Sequence, residues 1–160
     1  MPDQLDLPEG EVPTDVVVAL HQLYARQSHR IDDGDAAGWA ATFTPDGTFT
    51  SPSYPAPVQG RAALTAFAQA FADGCRRDDE VRRHLVTDLV ADPDGTPDAV
   101  RVRAYLQIVS TARGEASRLL RLTTLSDRLV RTGGSWQVQE RTVRRDDAGQ
   151  THPTARGERT

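Results

Sequence analysis

The chain has 160 residues, 38 % of them hydrophobic, which suits one ordinary core and leaves too little for a second domain of normal size. Its formal charge of −4, from 23 acidic and 19 basic residues, gives no general attraction to phosphate backbones or anionic lipid, so neither nucleic acid nor a membrane is expected as a partner. The 19 basic residues are all arginine, which excludes lysine Schiff-base chemistry, and the lone Cys75 excludes an internal disulfide or a thiolate metal site.

The first dozen residues are acidic and rich in Pro and Gly, and the last fifteen are polar without periodicity. Residues 1–13 and 147–160 therefore read as flexible tails around one domain, 14–146. Val16, Leu20, Leu23, Tyr24, Gln27 and Ile31 recur at helical spacing, so 14–31 reads as a helix with one buried face, stopped by Asp32, Asp33 and Gly34. Asp35 can cap a short second helix carrying Trp39, Ala40 and Phe43. Pro45-Asp46-Gly47 reads as a turn into a strand over 48–51, and the proline-rich stretch 51–59, with Tyr54, as a loop that covers a pocket. Gly60 precedes a third helix, 61–72, with Leu64, Phe67, Ala68 and Phe71 on one side.

From Val81 the period changes to two. Strands are expected over 81–91, 100–111, 117–131 and 135–145, joined at Pro93-Asp94-Gly95, near Gly114, and at Gly133-Gly134. The clearest alternation sets Val100, Val102, Ala104, Leu106 and Ile108 against Arg101, Arg103, Tyr105 and Gln107. Helices first and a long antiparallel sheet afterwards predict an α+β fold: three N-terminal helices packed on a curved, mostly antiparallel sheet, a cone-shaped barrel with a cavity inside. The pairs Arg76-Arg77, Arg82-Arg83 and Arg144-Arg145 lie beside acidic residues and read as solvated charge networks. No stretch has the order of a signal peptide and no apolar run approaches the ~20 residues that span a bilayer, so a cytoplasmic setting is expected.

Taken in order, the helix ending in IDDGD, the block WAATFTPDGTF, the helix GRAALTAF, the segments RHLVTDL and VRVRAYLQIV, and the ending SDRLVRTGGSWQVQERTVRRD resemble the SnoaL-like proteins of the nuclear transport factor two superfamily. That superfamily includes polyketide cyclases, ketosteroid isomerases, scytalone dehydratase and a dehydrochlorinase. The resemblance implies that Asp32, closing the first helix, pairs with His84 on the first long strand to remove a proton from an apolar substrate. It places Arg141 where the dehydrochlorinase stabilises a departing anion, and it implies a homodimer. The aromatic that this branch often carries near the end of the sheet is Leu125 here, and the strand over 100–111 has no second pocket histidine. Asp127 is the nearest counterpart of the late-strand aspartate on which the family's namesake relies, but its charged SDR surroundings make it the weaker candidate.

Free imidazole titrates near ~6.5 and a free carboxylate near ~3.9, so histidine is the natural base and an aspartate its orienting partner. Whether Asp32 or Asp33 faces inward cannot be read from spacing. Tyr24, Tyr54 and Tyr105 are candidates to hydrogen-bond a substrate carbonyl or phenol, with Trp39 as apolar wall. Trp39, Phe43 and Trp136 read as core first. Arg141 and Trp136 have opposite strand parity, so both point inward only if a bulge lies between them. His21, His29 and His152 match no paired-ligand spacing, and neither metal nor cofactor is expected. The expectation is a small cofactor-independent cyclase, dehydratase or isomerase acting on a hydrophobic polyketide-like or prenylated aromatic substrate. A non-catalytic binding or assembly module of the same fold is the alternative.

Overall fold

Apolar side chains three and four apart give α1 (Thr14–Asp32) a single buried face formed by Val16, Leu20, Tyr24, Gln27 and Ile31. The structure, a computed structural model, describes residues 10–147. The expected tails therefore fall mostly outside the described residues, as does His152. Of residues 10–13, Val12 packs against the core and the Pro13 carbonyl accepts the Val17 N–H, so ordered packing starts just before the helix.

Asp33 ends α1 by returning its N–H to the His29 carbonyl, and Gly34, at φ 78°, turns the chain where a side chain would be strained. Asp35 then caps α2 (Ala36–Ala40), its carboxylate accepting the Gly38 N–H at 2.9 Å. Phe43 does not continue this helix as its spacing suggested. It opens β1 (Phe43–Thr50), and Pro45-Asp46-Gly47 forms an irregularity inside that strand, between the pairs Phe43–Val138 and Thr48–Glu140. The packing there has no room for a side chain at Gly47: a Cβ on it would lie 2.9 Å from the Phe43 Cβ and 3.2 Å from the Val138 carbonyl oxygen.

A two-residue strand, β2 (Val58–Gln59), interrupts the expected loop and pairs with β1. Helix α3 (Arg61–Arg77) runs past the expected end at Ala72, its extra turn supported by Gln69–Asp73 and Asp73–Arg76 pairs.

Strands β3 (Glu80–Pro93), β4 (Ala99–Ala112), β5 (Arg118–Thr132) and β6 (Ser135–Arg145) form an antiparallel meander. Strand β1 joins β6 in parallel, giving one open sheet in the order β2-β1-β6-β5-β4-β3. Three bulges curve it: Asp88-Leu89 in β3, with Asp88 at φ 53°, Leu120 in β5 and Gln139 in β6. The helices lie in the concave face and the core sits between them, as expected of an α+β cone. The Gln139 bulge supplies the parity change that the sequence required, so Trp136, Val138, Arg141 and Val143 are all buried. On β4 the alternation holds: Val100, Val102, Ala104 and Leu106 face the core, while Arg101, Arg103 and Tyr105 face out. Among the described residues no helix is long and apolar enough to cross a membrane.

Candidate active site

Asp32 is the last residue of α1, and the sheet brings β3 against that end of the helix. Its Oδ1 lies 2.7 Å from His84 Nδ1, and its Oδ2 accepts the His84 backbone N–H at 3.1 Å. Both side chains are shielded, Asp32 at 6 % and His84 at 14 % exposure. One carboxylate thus grips the ring and the main chain of the same residue, fixing the imidazole against rotation. Phe71 adds an edge-on ring contact at 5.2 Å. Because a carboxylate only accepts, Nδ1 carries the hydrogen, and in the neutral imidazole the lone pair is then on Nε2. Asp33 is exposed, which resolves the choice between the two aspartates by position.

His84 stands at the wall of a cavity of about 240 Å³. Trp39, Phe49, Phe67 and Phe71 form one side of it and Leu106, Leu125 and Val143 another. The aromatic cluster is continuous: Trp39 packs on Phe67 at 5.6 Å, Phe67 on Phe49 at 4.8 Å, and Tyr54 on Phe67 at 5.0 Å. A second void of about 30 Å³ lies behind, sharing Trp39, His84, Leu125 and Arg141 with the first. It has room for about one or two waters.

Arg141 belongs to a buried charge network. Its Nε donates to both carboxylate oxygens of Asp127, at 3.0 and 3.1 Å, and its Nη2 donates to Asp127 Oδ2 at 2.7 Å and to Gln27 Oε1 at 2.9 Å. Gln27 passes the chain on to Thr42 Oγ1 at 2.6 Å, and the Tyr24 hydroxyl donates to Asp127. The guanidinium packs on the Tyr24 and Phe43 rings at 5.4 and 5.6 Å. Burial, then the Asp127 carboxylate, push the Tyr24 hydroxyl well above the ordinary tyrosine value of 10.0, so it remains a donor. Burial would lower Arg141, but the field and hydrogen bonds of Asp127 outweigh it and hold the guanidinium above its usual range.

Of the residues singled out in the sequence, Asp32 and His84 meet, and Trp39, Tyr54 and Arg141 line the cavity. Two do not fit the substrate-contact reading. Tyr105 is 53 % exposed on the outer sheet face, where the alternation of β4 puts it with Arg101 and Arg103. Tyr24 is buried but turned toward Asp127, away from the cavity wall. Asp127, the weaker candidate in the sequence, is wholly buried; its inward register with Thr123, Leu125 and Leu129 was the signal that could have marked it. Arg82, Arg121, Arg145 and Ser51 also line the cavity and were not anticipated. Among the described residues no group of three or more His, Cys, Asp or Glu is placed to hold a metal ion.

Residues 14–142 match the family model of the SnoaL-like domain. No curated protein matches the chain in sequence. Several solved structures are similar. A Mycobacterium tuberculosis protein of unknown function is 32 % identical over 82 % of this chain and 72 % of its own, with a TM-score of 0.71. Aln2 from a Streptomyces species is 30 % identical over 86 % of this chain and 96 % of its own, with a TM-score of 0.77. A Catenulispora acidiphila protein in complex with S-DNPA is 30 % identical over 84 % of this chain and 96 % of its own, with a TM-score of 0.74. With the cone, its helices and nearly the whole folded length matched, the chain belongs to the SnoaL-like domain family.

Proposed function

We propose that this protein is an enzyme of natural-product metabolism that moves a proton on a hydrophobic ring-bearing substrate, cyclising, dehydrating or isomerising a polyketide-like or prenylated aromatic compound. Membership in the SnoaL-like family, which includes cyclases and dehydratases, supports an enzymatic role at the level of the family. The observation that carries the reading is the 2.7 Å contact between Asp32 and His84 Nδ1 at the edge of an apolar cavity.

The imidazole Nε2 is the base. It takes a proton from carbon beside a carbonyl, or from a hydroxyl that closes a ring, and returns it to the departing or newly formed oxygen. Asp32 holds the productive tautomer and stabilises the imidazolium while the proton is held. Opening of an epoxide by a neighbouring hydroxyl is one version of this step. The shielding of both side chains from solvent strengthens these charge interactions. Proton transfer of this kind needs no cofactor. The cavity is slightly below the ~300 Å³ at the lower end of ordinary small-molecule pockets, so the substrate has about two or three fused rings, or the Tyr54 loop opens for a larger one.

The test uses 2-tetralone, a two-ring ketone with acidic C–H bonds beside its carbonyl, and follows deuterium exchange in heavy water by NMR. The wild-type protein should accelerate exchange over buffer, and His84→Ala should lose at least about tenfold of that acceleration with its circular dichroism unchanged. Equal exchange by the two proteins would defeat the assignment of His84 as base.

A further inference from the structure

Four arginines and no carboxylate line the main cavity, in a chain whose formal charge is −4. Three of the four have acidic partners: Arg82 with Glu80, Arg141 with Asp127, and Arg145 with Asp147. Arg121 is the exception. It is half-buried on β5, and its guanidinium has no hydrogen bond or ion pair among the described residues. Its charge is felt at a distance by Asp147, whose carboxylate is already held by both Arg145 nitrogens, at 2.8 and 2.6 Å. A partly desolvated cation at a cavity wall, with no paired carboxylate among the described residues, is stabilised by an anion that enters the cavity.

The register places this cation relative to the base. His84 pairs with Ile108, and Ile108 pairs with Arg121, so the three form one row across β3, β4 and β5. Both end residues line the cavity. Two strand spacings separate their backbones, roughly 10 Å. Thr123, on the same face as Arg121, pairs with Arg145, whose Nη1 lies 3.4 Å from the Ser53 hydroxyl. One end of the cavity is thus cationic and hydroxyl-lined, and the proton-accepting imidazole stands about one fused-ring length away.

We infer that the substrate is a carboxylic acid: its apolar ring body fills the space beside Trp39 and Phe67, and its carboxylate is held by the Arg121 guanidinium across the row from His84. The planar fork of an arginine matches a carboxylate with two parallel N–H···O bonds, and one unpaired guanidinium matches one such group. The inference rests on reading the cavity as the substrate site, and Arg121 acts in it as the residue that selects an acid over its ester.

The probes are 2-naphthoate, methyl 2-naphthoate and 2-naphthyl phosphate, titrated against the full chain by quenching of tryptophan fluorescence, since Trp39 lines the cavity. In the wild type, 2-naphthoate should bind at least tenfold more tightly than its ester. Arg121→Gln should weaken the acid at least tenfold and leave the ester within twofold, and Arg121→Lys should recover part of the loss. Equal binding of acid and ester, an unchanged preference in Arg121→Gln, no binding by either naphthoate, or tighter binding of the phosphate would each overturn the inference. The preference should persist in His84→Ala. Loss of proton exchange in that variant and loss of acid selectivity in Arg121→Gln therefore report separately on the two readings.

Discussion

The buried pair of Arg141 and Asp127 gives a stability prediction that follows from the geometry alone. Replacing Arg141 by methionine keeps a side chain of similar length and removes three contacts to Asp127 and one to Gln27. Asp127, with 0 % side-chain exposure, is left with the Tyr24 hydroxyl as its sole hydrogen-bond donor among the described residues. Breaking a buried ion pair by removing one partner costs about 3–5 kcal/mol, a large share of the roughly 5–15 kcal/mol that holds a domain together. At about 3 °C per kcal/mol for a chain of this size, Tm should fall by about 10–15 °C. Replacing both members, Asp127→Leu with Arg141→Met, removes the uncompensated charge. It leaves the Tyr24 hydroxyl and the Gln27 carbonyl without partners, at about 1–3 kcal/mol each.

The double variant should therefore be more stable than the sum of the single losses implies, with a coupling of at least about 2 kcal/mol. Urea unfolding of the wild type, both single variants and the double variant measures that quantity. A loss under about 1 kcal/mol in Arg141→Met, or strictly additive losses across the cycle, would show that the network does not hold the core as described.

Two further outcomes are expected. Tyr24 has a folded-state value above its ordinary 10.0, so below pH 10 both folded and unfolded chains keep the proton and it adds no pH dependence. Above pH 10 the unfolded chain releases a proton that the folded chain retains, and stability should fall by about 1.4 kcal/mol per pH unit until Tyr24 itself titrates. Urea unfolding at pH 8 and pH 11 should show a smaller alkaline loss in Tyr24→Phe than in the wild type; identical losses would contradict the buried donor role. Gly47→Ala should cost about 1–3 kcal/mol, because the new methyl would meet the Phe43 Cβ at 2.9 Å and the Thr44 carbonyl oxygen at 3.1 Å. A wild-type Tm for that variant would mean that the irregular part of β1 yields freely.

Much of the architecture was legible because period carries it. The helical recurrence from Val16 to Ile31 and the alternation from Val100 to Ile108 each follow from one face being buried. What was misplaced depended on contacts between distant segments. Phe43 carries a helix-compatible spacing, yet Val138 donates its N–H to the Thr42 carbonyl at 2.9 Å and draws the following residues into the sheet. The pairing of Asp32 with His84 was reachable through family resemblance but not through periodicity, since 52 positions separate the two. The geometry added what spacing could not: that Asp32, rather than the exposed Asp33, is the neighbour.

The charged residues of β5 show where strand alternation carried more than composition suggested. Arg121, Thr123, Leu125, Asp127 and Leu129 share one parity, and the structure turns that row toward the interior. A charge on an inward row must find an opposite charge, a hydrogen-bond network or a ligand. Asp127 finds Arg141, because the Gln139 bulge brings that arginine onto the inner face directly opposite it in the ladder. Arg121 sits next to the Leu120 bulge at the cavity wall, and among the described residues no acidic side chain pairs with it. The two residues began from the same sequence pattern. Their different surroundings make Asp127 part of the packed core and leave Arg121 available to a molecule from outside.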